Sequence, residues 1–261
     1  MGSDSNKDSV IVSLTTFPAA ATYAAGAIRS VLAGSVLPDK IILYVTLAQF
    51  GDKGLPQELV DLERQNEIFE IRNYDNDIRS YRKLVPALND FPESTIVTID
   101  DDVHYRRDML RLLLEFHKKY PGRIIAHRAK HIRLDKPYKK WPKYRWYHFL
   151  TRRDHSGFRN LQTGVAGVLY PPGALLRQMI DESIFTRLAP TADDIWFWAA
   201  AVANGTEIMP VPFGMNKPKG LGKPKELSLK FTNFKSGFDR NKAYLDAILK
   251  EYPVIRQRIE K

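Results

Sequence analysis

The segment IVTIDDDVHY, residues 96–105, sets three carboxylates side by side, Asp100, Asp101 and Asp102, at the end of an apolar run. Like charges a few ångströms apart raise one another's pKa and destabilise a fold unless a cation lies between them. Side chains alternate along an extended chain, so Asp100 and Asp102 are expected to converge on one side and Asp101 to point to the other. The chain has no cysteine, which leaves carboxylate and imidazole as metal ligands. Oxygen ligation suits Mg²⁺ or Mn²⁺, ions that keep several waters and complete their shells with substrate phosphates. The implied ligand is a diphosphate. His104, two residues after Asp102, is close enough in sequence to reach the same ion. The plainer alternative is a solvated acidic turn in which Asp102 caps the next helix.

Other residues suit the same chemistry. Asp75 follows an apolar run and has the acceptors to bind a nucleobase or ribose; Arg79 and Lys83, four apart, share a helix face and can meet a diphosphate as fork and point charge. A solvated charged face is the bland reading of that pair. Gly164 and Gly167 bracket GVAG, where missing side chains would let a sugar approach the backbone; a simple turn explains them too. In TADDIW, Thr191 and Asp194 have capping-box spacing, and Asp193 and Asp194 both suit a helix N-terminus. His127 and His131 are four apart, but HRAKH lacks the glutamate of a zinc-protease helix, so they read as polar residues at a site mouth or surface.

The elements that must position these groups alternate over the first 130 residues. β-rich runs at 10–17, 40–47, 67–74, 95–100 and 123–127 are separated by helical patterns at 22–33, 57–65, 82–91 and 107–120. Such alternation predicts a mainly parallel sheet with helices on both faces, the α/β class, and places ligands beyond the carboxyl ends of its strands. The aspartates lie there, as do Thr15 and Thr16. Residues 130–160 are basic and aromatic and read as an insertion or mobile flap. Beyond them the pattern predicts a strand at 167–172, helices near 174–182 and 191–204, a strand at 207–212, a loop at 216–227 and an amphipathic helix over 239–259.

IVTIDDDVHY, with VSLTTFP (12–18), VLPDKIILYV (36–45), RSYRKLVPAL (79–88), GVLYPP (167–172) and PTADDIWFW (190–198), resembles the GT-A fold glycosyltransferases of bacterial capsular and surface polysaccharide synthesis. The likeness runs in order over residues 10–213 and weakens after about 215. It implies a GT-A-like, Rossmann-like sheet with a nucleotide-sugar half over about 10–128, an acceptor half over about 160–215, and a C-terminal loop and helix over 216–261. It makes the aspartate trio a DXD element, with Asp102 on the metal bridging the donor diphosphate and Asp100 on the ribose or sharing the metal. It places Thr15, Thr16 and Pro18 in the nucleoside pocket, and makes Asp193 or Asp194 the base, Asp193 being the first choice. One base in a direct displacement implies inversion.

Composition sets the outer bounds. A chain of 261 residues, 44% hydrophobic and 27% charged, can bury about 70–75% of its unfolded surface without covalent staples. No 18-residue apolar window occurs, and the opening MGSDSNKDS reads as a polar leader or tag rather than an export signal, so the expectation is a cytoplasmic protein. A net charge of +10 favours an anionic partner. The expected partners are a UDP- or GDP-linked sugar and a glycan or lipid-linked acceptor, with peripheral membrane contact through KPYKKWPKYRWYHFLTRR (136–153). Two other classes compete. A haloacid-dehalogenase-type phosphatase would want Thr or Val where His104 stands, and a nucleic-acid binder, which is not expected, leaves the aspartate trio unexplained.

Overall fold

In the computed structural model the residues described are 9–145, 147, 150, 154–212, 218–227 and 239–260. The alternation read from the sequence folds as β1 (Val10–Thr15), α1 (Ala21–Leu32), β2 (Lys40–Val45), α2 (Gln57–Gln65), β3 (Phe69–Asn73), α3 (Val85–Asp90), β4 (Thr95–Thr98), β5 (Val103–His104), α4 (Met109–Lys119) and β6 (Ile124–Ala126). There follow β7 (Ala129–His131), β8 (Asn160–Gln162), β9 (Val168–Tyr170), α5 (Glu182–Leu188), α6 (Asp193–Asn204), β10 (Ile208–Pro210), β11 (Lys219–Gly220) and helices Arg240–Glu251 and Pro253–Glu260. Seven strands form one sheet in the order β10-β6-β9-β4-β1-β2-β3, parallel except for β9, which runs against both β4 and β6.

The strands are near-continuous in apolar residues because both sheet faces are covered. Val12, Leu14, Ile41, Leu43 and Val97 pack with α1, α2 and α4; the alternate residues Ile11, Ile42, Tyr44 and Ile96 pack with α3, α5, α6 and the C-terminal helices. The chain runs outward from β1 through β2 to β3, then returns to lay β4 on β1's other side. At such a reversal the two strand ends diverge and leave a crevice. The β1 and β4 ends stay joined one step past the ladder by the Ile99 amide donating to Ser13 O at 3.0 Å.

Helix α6 carries the second acidic pair and is firmly braced. Trp196 and Trp198 are fully buried and donate their indole N–H groups to Met179 O (2.7 Å) and Phe158 O (2.8 Å). That disposes of the polar edge of a large apolar side chain. Gly205, at φ +88°, closes the helix, and Arg258 donates to Ala203 O at 2.8 Å and to Val202 O. A guanidinium at a helix C-terminus is favourable both as a donor to orphan carbonyls and against the dipole.

Several expected elements differ. The helix expected over 82–91 is a 3₁₀ turn (Arg79–Lys83) followed by α3, whose second residue is Pro86. The helix expected near 174–182 is a 3₁₀ turn at Arg177–Ile180, and the α-helix begins later, where the Asp181 carboxylate accepts from the Ser183 amide at 2.8 Å. The terminal helix breaks at Tyr252, because Pro253 disfavours helical backbone in the residue before it. The basic insertion is anchored in its described part: β7 pairs with β8, and Trp141, 2% exposed, donates to Lys136 O at 3.0 Å. Residues 146, 148, 149 and 151–153 of that insertion, and 213–217 and 228–238 after it, lie outside the described residues.

Candidate active site

A cavity of about 780 Å³ opens at the carboxyl ends of β1 and β4. Eight cationic side chains and six aspartates line it. That mixture implies pairing, and two separate networks accomplish it.

The first network grips Asp101 and Asp102. The Lys223 ammonium, from the segment after β11, lies 2.9 Å from Asp101 Oδ1 and 2.8 Å from Asp102 Oδ2. Thr16 donates its hydroxyl to Asp101 Oδ2 at 2.6 Å. Burial pushes the Asp101 carboxyl above its ordinary range, against the pull of Lys223 and Thr16. Burial works the other way on Lys223, but Asp101 and Asp102 outweigh it and hold its pKa above the usual value.

The second network is deeper. Lys83, 6% exposed, has Asp100 Oδ1 at 3.1 Å and Asp193 Oδ2 at 2.9 Å. Burial opposes its charge; Asp100, Asp193 and Asp194 together overcome that and hold the ammonium well above its ordinary pKa. Asp194 Oδ1 accepts from the Gly164 amide at 3.0 Å. Burial, reinforced by Asp193 and opposed by Lys83, raises the Asp194 carboxyl from 3.8 to about 7.

The expected alternation of Asp100 and Asp102 therefore does not hold. Strand β4 ends at Thr98, and past it the side chains follow their cations: Asp101 and Asp102 share Lys223, while Asp100 turns to Lys83. The capping box is not formed either. Asp193 and Asp194 are the first two residues of α6, Ala192 precedes them without a side-chain cap, and Thr191 Oγ1 meets Tyr244 Oη at 3.2 Å.

Thr15, Thr16, Pro18, Arg79 and Lys83 all line the cavity. Arg79 stands in left-handed backbone, φ +54°, with its amide donating to Asp77 Oδ1 at 3.1 Å. A side chain built at Gly164 would come within 2.7 Å of Lys83 Nζ and 3.1 Å of Asp194 Oδ1, so the second network needs glycine there.

Four expectations fail on position. Asp75 is exposed, accepts from Asn73 Nδ2 at 2.6 Å, and lies off the cavity, which Asp77 lines instead. His104 is exposed on β5 and is not among the lining residues. Gly167, at φ +97°, faces Met109 Sδ of α4 and serves the backbone rather than a ligand. His127 is not at the mouth but 1% exposed, paired with Met109 O at 2.8 Å, its pKa lowered to about 4 by burial.

Arg82 and Lys223 went unpredicted. Arg82, 2% exposed, donates to Thr15 Oγ1 at 2.9 Å, to Thr46 Oγ1 and to Thr16 O, tying the β1 and β2 ends together. Its signal was adjacency to Lys83; Lys223 sits in a Lys-Pro-Gly segment that reads as loop.

The sheet order and the cavity at its reversal define an α/β fold shared with glycosyltransferases. One solved structure similar to this chain is the mannosyltransferase PcManGT from Pyrobaculum calidifontis, in complex with GDP-Man and Mn²⁺, with a TM-score of 0.56 and 11% identity over 97% of this chain and 69% of that one. Another is TarS 1–349 of S. aureus, at a TM-score of 0.48 and 14% identity over 78% of this chain, which spans 57% of the TarS fragment; that fragment is also known in complex with UDP. At 11% identity the likeness to PcManGT is one of fold. No family model and no curated protein matches the sequence.

Proposed function

We propose that this protein is a glycosyltransferase that moves a sugar from a UDP- or GDP-linked donor to a glycan or lipid-linked acceptor, in surface polysaccharide synthesis, using Mn²⁺ or Mg²⁺. The observation that carries the reading is the first network: two carboxylates at the sheet's reversal, arranged around one cation. A place shaped for an ammonium between two carboxylates also suits a hard divalent ion, with waters and phosphate oxygens as its other ligands. Among the described residues no group of three His, Cys, Asp or Glu is set to hold a metal. Asp101 and Asp102 would hold it. Bound there, it would neutralise charge on the departing diphosphate.

The chain's own groups supply the rest. Thr15, Thr16, Pro18 and Arg79 line the cavity; the first three would form the nucleoside side and Arg79 would meet the phosphates. Asp194 is the base: it is more open to the cavity than Asp193, and a carboxyl raised to about 7 is matched to proton transfer near neutral pH. It takes the acceptor hydroxyl proton as that oxygen bonds to the anomeric carbon and the bond to the diphosphate breaks, giving inversion. Asp193, held by Lys83, positions the pair. Arg128, Lys130, Lys139 and Lys143 line the cavity as well and suit an anionic acceptor such as a lipid-linked phosphate.

Calorimetry with UDP and GDP, with and without Mn²⁺, tests the reading. Metal-dependent binding of one nucleotide, lost in Asp102→Asn, is expected; nucleotide binding indifferent to both metal and Asp102 would overturn it.

A further inference from the structure

Lys223 does not belong to the sheet that builds the site. It arrives on residues 218–227, and that segment is docked by contacts of its own. Lys219 and Gly220 pair antiparallel with His104 and Val103, and the Leu221 amide donates to Asp102 O at 2.8 Å. The Leu221 side chain packs on α1 at Gly26, where an added Cβ would come within 3.1 Å of Leu221 Cδ1. The ammonium that follows sits at 2.8–2.9 Å from two carboxylates. Leu227, at the far end of the segment, lines the cavity.

A divalent ion drawn to the same two carboxylates would lie close to the ammonium and be repelled by it. With Lys223 in place, the ammonium sits on one oxygen of each of Asp101 and Asp102, and Thr16 donates to the other oxygen of Asp101. A divalent ion entering alone must expel the ammonium from a largely buried position, where the side chain is 12% exposed, and leave it unpaired. A diphosphate removes that obstacle, because it offers the displaced ammonium a charge-assisted partner as it offers the metal oxygen ligands.

We propose that Lys223 is a donor-binding residue that makes uptake of the divalent ion conditional on the diphosphate: it occupies the Asp101–Asp102 pair in the free protein and transfers to the phosphates when ion and nucleotide enter together. The inference rests on the donor reading above. It makes metal and nucleotide binding strongly cooperative, a coupling that is reciprocal between the two ligands. The 218–227 segment is then part of the donor site and not a linker.

The test is Mn²⁺ binding by electron paramagnetic resonance, on the full chain, with and without UDP or GDP, in wild type, Lys223→Met and Lys223→Arg. Lys223→Met is expected to bind Mn²⁺ alone about tenfold or more tightly than wild type and to lose most of the enhancement that nucleotide gives, while Lys223→Arg, which keeps the cation, stays near wild type. Circular dichroism confirms that each variant is folded. Equal Mn²⁺ affinity in wild type and Lys223→Met, with nucleotide enhancement intact in both, overturns the role of Lys223 and leaves the donor reading standing. Failure of all three proteins to bind Mn²⁺ even with nucleotide overturns both.

Discussion

Replacing Asp194 by asparagine is expected to stabilise the protein at neutral pH while removing turnover. Asparagine keeps an oxygen to accept from the Gly164 amide, as Asp194 Oδ1 does at 3.0 Å, and removes the charge. In the folded protein the carboxyl titrates at about 7 against an ordinary value of 3.8, burial being the main cause. Between those two values the folded state holds a proton that the unfolded state has released, so wild-type stability falls as pH rises from 4 to 7 and levels off above. Three units at about 1.4 kcal/mol each give a ceiling of about 4 kcal/mol, trimmed by solvent screening because the carboxyl borders the cavity. Urea unfolding at half-unit steps from pH 4 to 8 reads this directly. Asp194→Asn should match wild type near pH 4 and gain progressively to pH 7, with kcat down about 10²–10⁴-fold if it is the base. A difference between the two proteins that does not change with pH would refute the assignment of this titration to Asp194.

Other perturbations probe the same machinery. Lys83→Met leaves Asp100 and Asp193 without their shared cation and should cost about 3–5 kcal/mol, which chemical denaturation checks. Gly164→Ala puts a methyl within 2.7 Å of Lys83 Nζ and 3.1 Å of Asp194 Oδ1, so activity should fall at least about tenfold with an unchanged far-UV spectrum. Arg79→Gly relieves left-handed backbone at φ +54° and should raise stability by about 1 kcal/mol in thermal melts while weakening nucleotide binding in calorimetry.

What the sequence reveals and what it hides divide along a physical line. Strands β1, β2 and β4 are legible because burial on both faces demands unbroken apolar runs, and α2 because its apolar residues repeat with helical spacing. The direction of β9 is not legible: VLY pairs with β4 and β6 through backbone groups that carry no sign of orientation. Short ladders such as β7 with β8 span three residues each, too few for any period to emerge. In the site, the carboxylate trio is visible, but its side-chain directions are set by Lys83 and Lys223, which are 17 and 122 residues away from their partners. Asp75 and Asp77 are equivalent as sequence; the contacts of Asp77 with Arg79 N and Arg82, against that of Asp75 with Asn73, distinguish the one that lines the cavity.

The two lysines that answer the trio are not interchangeable, and the difference bears on how such a site can work. Lys83 lies within the 3₁₀ turn that enters α3, is almost wholly buried, and binds one carboxylate from each of two distant segments. Moving it would leave Asp100 and the buried Asp193 without the cation they share, which ties Lys83 to the frame of the site. Among the described residues Lys223 pairs with Asp101 and Asp102, and its segment joins the fold through a short ladder, two residues of β11 on two of β5. Its ion pairs tie it to one loop alone, whereas those of Lys83 join the end of β4 to the start of α6. Three adjacent aspartates are thus accommodated at a strand end by pairing one with Lys83 and two with Lys223, and under the proposal above it is the pair held by Lys223 that a substrate-borne cation would claim.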